Sequence, residues 1–493
     1  MNHLFNFKID KNKASYQVAI DLKMFIENFV INNYFFNLCN EFSKITNIPI
    51  QTIQNKTKII LSSNFDFNTG KFRSKFSFLN FTKDALSYLW ILFCCFFPNF
   101  KKRKKIIFDI IFDDVDNSNV FTKFNKLVSL FKSHLFITNN KISHKTLNLF
   151  YFNKKILFFD QNYLKEKKLL FFKFFLIILF KSIKLKINFF TIFNVIFFQT
   201  LKYETVFNKV NSKLLITMRP WKTCPIKNFL YKKHGGKISS SFQTNILEAS
   251  ISLFIFCDTL FTLGDDINIK KTVSDLGGNI NSYIPIGSIS MQSSWFDSKK
   301  DVLNLPDVDI LVIGINPSSC LKINNRVMNN YFEHIKWIKR FSDDYKNLKI
   351  LLKHHEYRLH NSPTDPIIAF ERDIFRNSNV NITIKSNSIN GSYGYFEKSK
   401  VIVSFGSTMI LEGLSHNKKC FFLDPNLDNS AFFQNFSSYD SLRIGTYEDF
   451  KSKMISSLSD IETKDHTNAN NDIYCLKSNK ATNKIYDFYH NYK

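Results

Sequence analysis

The sequence predicts an α/β protein with two domains, each a parallel β-sheet covered by helices, behind a mainly helical lead-in. Three observations lead to this prediction. The chain has 493 residues, more than one hydrophobic core usually supports. Short apolar runs of strand length alternate with helix-like segments over most of it. Several of these runs end in small, hydroxyl or charged residues, which is typical of strands that meet a ligand at the edge of a sheet.

Residues 1–100 are predicted as the helical lead-in, because apolar residues recur at helical spacing over 19–42 and Pro98 ends a later apolar run. Residues 101–287 are predicted as the first sheet domain and the polar, loop-like stretch 288–306 as a hinge. The strands predicted in the first domain are 106–112, 213–217, 237–243 and 257–264.

Residues 307–470 are predicted as the second sheet domain and 471–493 as a C-terminal helix. An amphipathic helix is predicted over 331–344. The strands predicted in the second domain are 308–315, 349–352, 401–403 and 421–425.

Composition and charge indicate a folded protein and bear on its partners. With 44% hydrophobic and 22% charged residues, the chain is expected to be globular. Its 57 Phe residues accompany abundant Lys, Asn and Ile, as AT-rich coding would produce, so single Phe residues carry little weight. The net charge of +26 is spread along the chain without a zinc-finger, RNA-binding or basic-helix pattern. We therefore expect a basic surface facing acidic lipid or a phosphorylated substrate, and no nucleic-acid partner.

Cysteine spacing and apolar segments bear on the compartment. The eight cysteines form no CxxC pair, which predicts neither a zinc site nor a disulfide framework and fits reduced thiols in a cytoplasmic protein. Residues 1–13 lack the pattern of a signal peptide. The apolar stretches 86–97, 169–180 and 188–198 are too short, or too interrupted by lysine, to span a bilayer, so they predict core or interfacial helices. Peripheral contact with the inner face of the cytoplasmic membrane stays open.

The stretch from Lys349 to Asp424 holds the predicted ligand site. One strand runs into Lys353-His354-His355-Glu356, and another runs into Ser404-Phe405-Gly406-Ser407-Thr408, followed by a helix that carries Glu412. Hydroxyls and free N–H groups at the start of a helix suit an anion, and the lysine and histidines would supply opposing charge. Each cluster alone also has a plain interpretation, as a helix cap or as the basic start of a loop.

Taken together, these motifs resemble those of the GT-B glycosyltransferases that build bacterial surface carbohydrates and capsules, including sialyltransferase-like and Kdo-transferase-like members. Lys353-His354-His355 resembles their K-x-H-P motif, with the spacing favouring His355, and Ser404 to Glu412 resembles their S-x-x-S-T-x-x-x-E motif. The segments 236–243, 258–264, 276–278 and 285–287 match the family in the same order, so the resemblance covers about residues 210–430. The chain has Thr244-Asn245 where many relatives have His-Gly, and Glu356 where they have Pro.

The resemblance implies two Rossmann-like domains in the GT-B architecture, an N-terminal one for the acceptor and a C-terminal one for the donor. It implies an inverting, metal-independent transfer of a sugar from a nucleotide-sugar donor onto a surface polysaccharide or lipid-linked glycan acceptor, without a cofactor. The implied donor-binding residues are Lys353, His354, His355, Ser404, Gly406, Ser407, Thr408, Glu412, Gly287 and Ser288.

The base that takes the acceptor's proton is expected in the N-terminal domain. Its candidates are His234, Asp265 and Asp266, with Asp109, Asp113 and Asp114 after the first strong strand as alternatives. A carboxylate near a strand end is more often a helix cap than a base. Two other functions stay open: a CDP-polyol phosphotransferase of similar fold, and a non-catalytic, membrane-peripheral assembly protein.

Overall fold

The computed structural model describes most of the chain. The described residues are 7, 15–66, 71–72, 77–94, 105–114, 118–138, 149–151, 167–243, 253–296, 305–314, 325–354, 366–383, 393–425, 441–459 and 473–492.

The lead-in consists of helices with a short antiparallel hairpin between the third and the fourth. Its elements are α1 (Ser15–Ile31), α2 (Asn33–Thr46), α3 (Ile50–Asn64), β1 (Phe65–Asp66), β2 (Lys71–Phe72) and α4 (Phe78–Cys94). The side chain of Asn32 caps α2 by accepting a hydrogen bond from the Tyr34 N–H group. The turn at Asn47, in the left-handed conformation, ends the same helix.

A seven-stranded parallel sheet forms the centre of the first domain. Its strands are β3 (Ile106–Asp113), β4 (His134–Thr138), β5 (Leu149–Tyr151), β6 (Val210–Thr217), β7 (Ile238–Phe242), β8 (Phe256–Thr262) and β9 (Asn279–Pro285). Its helices are α5 (Ser118–Ser129), α6 (Lys168–Leu185), α7 (Phe190–Lys209), α8 (Pro225–Lys233) and α9 (Ile267–Asp275), with a 3-10 turn at Pro220–Lys222. The spatial order β5-β4-β3-β6-β7-β8-β9 places the topological switch point between β3 and β6.

The lead-in shares one hydrophobic core with the first sheet. Tyr88 of α4 stacks on Phe197 of α7 with ring centroids 4.8 Å apart, and Phe42 of α2 lies 5.4 Å from Phe174 of α6. The same cluster reaches Ile111 of β3. Burial of this much aromatic surface stabilises the packing of the lead-in against the first sheet.

The second domain has a six-stranded parallel sheet. Its strands are β10 (Val308–Ile313), β11 (Ile350–Lys353), β12 (Val380–Thr383), β13 (Ser399–Ser404), β14 (Lys419–Leu423) and β15 (Arg443–Ile444). The helices of this half of the chain are α10 (Ile289–Met291), α11 (Asn325–Asp344), α12 (Pro366–Ile374), α13 (Gly394–Lys398), α14 (Met409–Leu414), α15 (Tyr447–Leu458) and α16 (Ala481–Asn491), with a 3-10 turn at Ser478–Lys480. The order β12-β11-β10-β13-β14-β15 is that of a Rossmann sheet, with its switch point between β10 and β13.

The chain between the two sheets is more ordered than the loop predicted over 288–306. Helix α10 continues into a π-helical turn, Gln292–Phe296, that buries Trp295. The Trp295 ring packs edge-on against Phe396 at 5.4 Å and His416 at 5.3 Å, and its Nε1 donates to Glu397 Oε1 at 2.8 Å. The loop prediction is therefore wrong for 289–296, because one tryptophan among polar neighbours anchors this segment in the junction.

The C-terminal helix α16 returns to the first domain. Ile485 is buried in the cluster that contains Ile110 of β3, and the Tyr489 hydroxyl donates to Asp109 Oδ1 at 3.1 Å. The predicted fold class, two Rossmann-like α/β domains behind a helical lead-in, as in a GT-B fold, is confirmed by the two sheets and their order. Within the described residues, none of the helices is both long and apolar enough to cross a bilayer.

Candidate functional site

The two polar strand ends of the second domain flank the same strand. In the parallel register, Ile313 of β10 pairs with Lys353 of β11 on one side and with Ser404 of β13 on the other. Neighbouring strands lie about 4.8 Å apart, which puts Lys353 and Ser404 roughly 10 Å from each other at the carboxyl edge. The structure thus brings the two motifs together beside the switch point.

His354 is turned into the domain. Its ring lies over Gly314, where an added Cβ would come within 2.1 Å of Nδ1, so only glycine fits there. Its Nε2 is 2.7 Å from Glu371 Oε2, and Tyr331 donates a hydrogen bond to the other oxygen of the same carboxylate. Lys353 donates from Nζ to the His354 carbonyl oxygen at 2.8 Å. His355 lies outside the described residues.

The hydroxyl-rich end of β13 divides into a structural and a surface part. Ser404 is buried and donates to the Ile313 carbonyl oxygen at 2.9 Å, which ties β13 to β10. Ser407 Oγ accepts from the Met409 N–H at 3.3 Å, as a helix-capping residue does. Gly406, Ser407 and Thr408 remain partly exposed at the carboxyl edge.

Glu412 lies in a buried polar cluster where the two domains meet. Both of its carboxylate oxygens accept from the Tyr393 hydroxyl, at 3.0 and 2.9 Å. Burial and the Glu412 charge raise the pKa of Tyr393 well above its usual value, so this hydroxyl keeps its proton. Tyr393 also hydrogen-bonds the Ser288 side chain. Gly287 has φ +88°, and an added Cβ would come within 2.8 Å of the Leu476 carbonyl oxygen.

A buried ion pair occupies the switch point of the first domain. Asp113 ends β3 and pairs in register with Thr217, which ends β6. Lys227 of α8 places Nζ 2.7 Å from Asp113 Oδ2 and 2.5 Å from Thr217 Oγ1, and its side chain has no exposed surface. The Tyr203 hydroxyl donates to Asp113 Oδ2 at 3.1 Å. The carboxylate is therefore held from two helices at once.

The charge of Asp113 is stabilised within the protein. Burial by itself raises the pKa of this carboxyl, but the charges of Lys227 and Lys202 and the hydrogen bond from Lys227 outweigh it, so the net shift is downward. Lys56 of α3 is also buried nearby, and desolvation lowers its pKa. The Asp113 carboxylate is therefore ionised at neutral pH. Because its pKa is lowered, it is a weak base and is poorly suited to accept a proton from a substrate.

Asp114 follows directly and is the more accessible carboxylate. It has φ +65°, a conformation that non-glycine residues adopt mainly at turns and functional sites. Its Oδ2 lies 2.8 Å from Arg219 Nε in the loop after β6. The Asp114 side chain is 13% exposed and that of Arg219 is 32% exposed. A carboxylate and a guanidinium thus reach the surface above the switch point.

Comparison with known proteins gives similarity of fold alone. No family model matches the sequence, and no curated protein matches it. Among solved structures, UDP-GlcNAc 2-epimerase from Neisseria meningitidis is 11% identical over 79% of this chain and 100% of its own, with a TM-score of 0.44. The 2-epimerase from Methanocaldococcus jannaschii is 11% identical over 78% and 100%, with a TM-score of 0.43. The wall teichoic acid polymerase TagF is 10% identical over 84% and 98%, with a TM-score of 0.44.

The predicted base candidates lie in different places. His234 is at the amino edge of the first sheet, where Lys105 and Asn211, both near strand starts, donate to its carbonyl oxygen. Its Nε2 is 3.3 Å from Glu204. At about 3.3 Å per residue along β6, this is roughly 20 Å from the carboxyl edge. The structure therefore does not bring His234 together with the strand-end motifs.

The remaining aspartates hold local structure. Asp266 is buried and caps α9 by accepting from the Asn268 N–H at 2.9 Å. Asp265 is exposed and lies 3.6 Å from Lys270. Asp109 lies within β3 and accepts from the Ser133 N–H at 2.9 Å. Of the six acidic and histidine candidates, Asp113 and Asp114 are the two at the switch point.

The sequence pattern did not predict three residues of the site: Lys227, Tyr393 and Glu371. Lys227 is in the first turn of α8, far from Asp113 in the chain, and resembles any exposed helix lysine. Tyr393 is one aromatic residue among many, and Glu371 lies in an ordinary amphipathic helix. Within the described ranges, no cluster of three or more His, Cys, Asp or Glu side chains is placed to hold a metal ion. Metal independence stays a prediction.

We expect His334 to make stability depend on pH. The side chain is fully buried between Phe405 and Tyr331, and desolvation lowers its pKa to about 3, although the charge of Glu371 opposes the shift. Below about pH 6.5 this imidazole is protonated in the unfolded chain but stays neutral in the folded protein. The free energy of unfolding therefore decreases as the pH is lowered. Between pH 7 and pH 5 the loss is about 2 kcal/mol.

Urea unfolding of His334→Leu at the two pH values measures this contribution. Between pH 7 and pH 5, the free energy of unfolding should decrease by about 2 kcal/mol less in the variant than in the native protein, whatever the stability of the variant at pH 7. His490, exposed on α16, is the matched control, and His490→Gln should leave the pH dependence unchanged. An identical pH dependence in His334→Leu and native protein would contradict the assignment.

Proposed function

We propose that the protein is a glycosyltransferase that moves a sugar from a nucleotide-sugar donor onto a glycan or lipid-linked acceptor without a metal ion. The observation that carries this proposal is the chemistry of the two switch points. The second sheet has a lysine and hydroxyls on either side of β10, and the first has a carboxylate beside an arginine above the β3–β6 pair. Glycosyl transfer needs both kinds of group, one set for each substrate.

The donor side would stabilise the leaving group. Lys353, with the partly exposed hydroxyls of Ser407 and Thr408, would offset the charge that grows on the phosphate of the departing nucleotide. Glu412, fixed by Tyr393 and close to Ser288, would accept hydrogen bonds from the ribose hydroxyls. The support for this assignment is that Lys353 and Ser404 flank β10, while the buried Glu412 is one turn into the next helix.

The acceptor side would supply the base. We assign this role to Asp114, because it is accessible and lies next to Asp113, whose charge is already neutralised by Lys227. The acceptor oxygen attacks the anomeric carbon as the bond from that carbon to the phosphate oxygen of the nucleotide breaks, with inversion. The acceptor's proton passes to the Asp114 carboxylate, and the electron pair of the broken bond leaves on the nucleotide.

We expect one nucleotide class to protect the protein in a thermal melt. UDP, CMP, CDP and GDP, tested separately at equal concentration, should give a shift for one base and little for the others. Glu412→Gln should weaken that binding about 10- to 150-fold, because a hydrogen bond to a charged carboxylate contributes about 1.5–3 kcal/mol. Glu448→Gln, at a glutamate whose side chain is 76% exposed on α15, is the matched control and should bind as the native protein does.

Three outcomes would contradict parts of this proposal. No protection by any nucleotide would contradict the transferase and favour the assembly protein. Binding of CDP-glycerol, with nucleotide sugars ignored, would favour polyol phosphate transfer. Activity lost in EDTA and restored by Mn²⁺ would contradict the metal-independent mechanism.

A further inference from the structure

Helix α4 leaves a row of large apolar side chains in water. Leu79, Leu86, Trp90 and Phe93 recur at the spacing of one helix face and are 52–78% exposed. The opposite face of the same helix is buried, with Tyr88 and Ile91 in the core. Helix α4 is therefore apolar on its outer face as well as on its buried face. The outer face of a helix in a water-soluble protein ordinarily carries polar residues.

Helix α6 has a second row of this kind. Leu169, Phe172, Phe180 and Ile183 are 43–69% exposed, while Phe171, Phe174 and Ile178 are buried. The two helices adjoin: the Tyr88 hydroxyl of α4 reaches the Phe171 carbonyl oxygen of α6 at 3.5 Å. Single exposed apolar residues are common on proteins, but a row of them on each of two adjoining helices indicates an interaction surface, which we call the patch.

The charged residues of α4 and α6 are mostly basic. The two helices contain Lys83, Lys168, Lys173, Lys181 and Lys184 and a single acidic residue, Asp84. Asp84 accepts hydrogen bonds from Asn188 at 2.8 Å and Thr191 at 2.9 Å, so its carboxylate is engaged with α7. Lys83, Lys173 and Lys184 are exposed among the apolar side chains. The patch therefore presents apolar surface together with exposed ammonium groups.

We propose that α4 and α6 form a membrane-contact face that lies on an anionic lipid bilayer. Aromatic and leucine side chains would enter the boundary between head groups and acyl chains, and the lysines would contact the anionic head groups. The contact is peripheral, since none of the described helices has the length and apolarity to cross a bilayer. A protein partner that covered this face would need acidic groups to match the lysines. A second copy of the chain lacks them, because its own face carries the same positive charge.

Vesicle flotation tests the membrane-contact face without any substrate, so its outcome is independent of the proposed transferase activity. The native protein should float with vesicles of equal parts phosphatidylglycerol and phosphatidylcholine at low salt and should float poorly with phosphatidylcholine alone. Trp90→Ser combined with Phe180→Ser should lower the partition coefficient about tenfold or more. Lys173→Gln combined with Lys184→Gln should lower it about tenfold on the anionic vesicles and leave the weak binding to neutral ones unchanged.

The matched control removes exposed apolar side chains elsewhere. Ile267 and Ile455 are 70% and 43% exposed and lie outside α4 and α6, so Ile267→Ser with Ile455→Ser should float as the native protein does. All the substitutions are at exposed positions, and thermal melts check that each variant is folded. Equal flotation of all variants would overturn the proposal. A second outcome would also overturn it. The native protein would fail to bind vesicles and would be a dimer by light scattering, and the Trp90→Ser, Phe180→Ser variant would be a monomer.

Discussion

Lys227→Met is expected to lower the free energy of unfolding by about 3–5 kcal/mol. The substitution keeps the length of the side chain but leaves the Asp113 carboxylate buried without its ammonium partner, and it removes the contact of Lys227 with Thr217. An unpaired charge at this depth is far more costly than a lost surface contact. Urea unfolding at neutral pH, followed by fluorescence and circular dichroism, measures the change.

The matched control is another lysine of the same helix. Lys232 of α8 pairs with Asp258 of β8, but the Lys232 side chain is 47% exposed, so Lys232→Met should change the free energy of unfolding by less than about 1 kcal/mol. Asp113→Asn with Lys227→Met should recover part of the loss, because the pair then leaves no buried charge. Similar effects of Lys227→Met and Lys232→Met would contradict the buried ion pair.

Acid should weaken the same ion pair. Because the folded pKa of Asp113 is lowered, its contribution is fully present above the ordinary aspartate pKa of about 4 and is lost as pH falls through the lower folded value. The difference in the free energy of unfolding between the native protein and Asp113→Asn should therefore become smaller only in strong acid. This window lies below the one expected for His334, so the two groups can be separated by pH.

Asp114→Asn is expected to lower kcat for sugar transfer about 100- to 10,000-fold, the range for loss of a positioned general base. Asparagine has nearly the same shape and tolerates the left-handed conformation at φ +65°, so the backbone should be preserved. Nucleotide protection in a thermal melt should be unchanged, because the donor residues lie in the other domain. The measurement is steady-state transfer with the donor class found in the nucleotide screen.

The control for this prediction is Asp265→Asn at an exposed aspartate after β8. It should retain native kcat. Full activity of Asp114→Asn would mean that the proton leaves by another route. A loss of nucleotide protection in the same variant would point to misfolding, which the thermal melt without ligand would show separately.

Much of the fold was predictable because its signals are local. Strands such as β3, β10 and β13 are short apolar runs bounded by polar residues, and burial on both faces of a parallel sheet requires that pattern. Helix α11 shows regular apolar spacing. The segment 289–296 was mispredicted because its composition is polar, and the burial of Trp295 depends on residues roughly a hundred positions later.

The candidate site was predictable in part for the same reason. A Ser/Thr cluster after one strand and a lysine after another can be seen in the sequence, and Asp113-Asp114 follow the first strong strand. Their relation to one another cannot be seen, since it depends on the order of strands in each sheet. The sequence alone also gives no reason to separate Asp113 from Asp114, whereas the ion pair with Lys227 distinguishes them.

The class of fold, most element positions and the residue types at the strand ends follow from the order of amino acids, because these features depend on hydrophobic periodicity and on the preferences of neighbouring residues. Three relations come from the folded chain: Lys353 and Ser404 flank β10, His234 lies at the opposite edge of its sheet from Asp114, and Lys227 neutralises Asp113. These relations come from strand order and helix packing, which join residues far apart in the chain and leave no trace in local spacing.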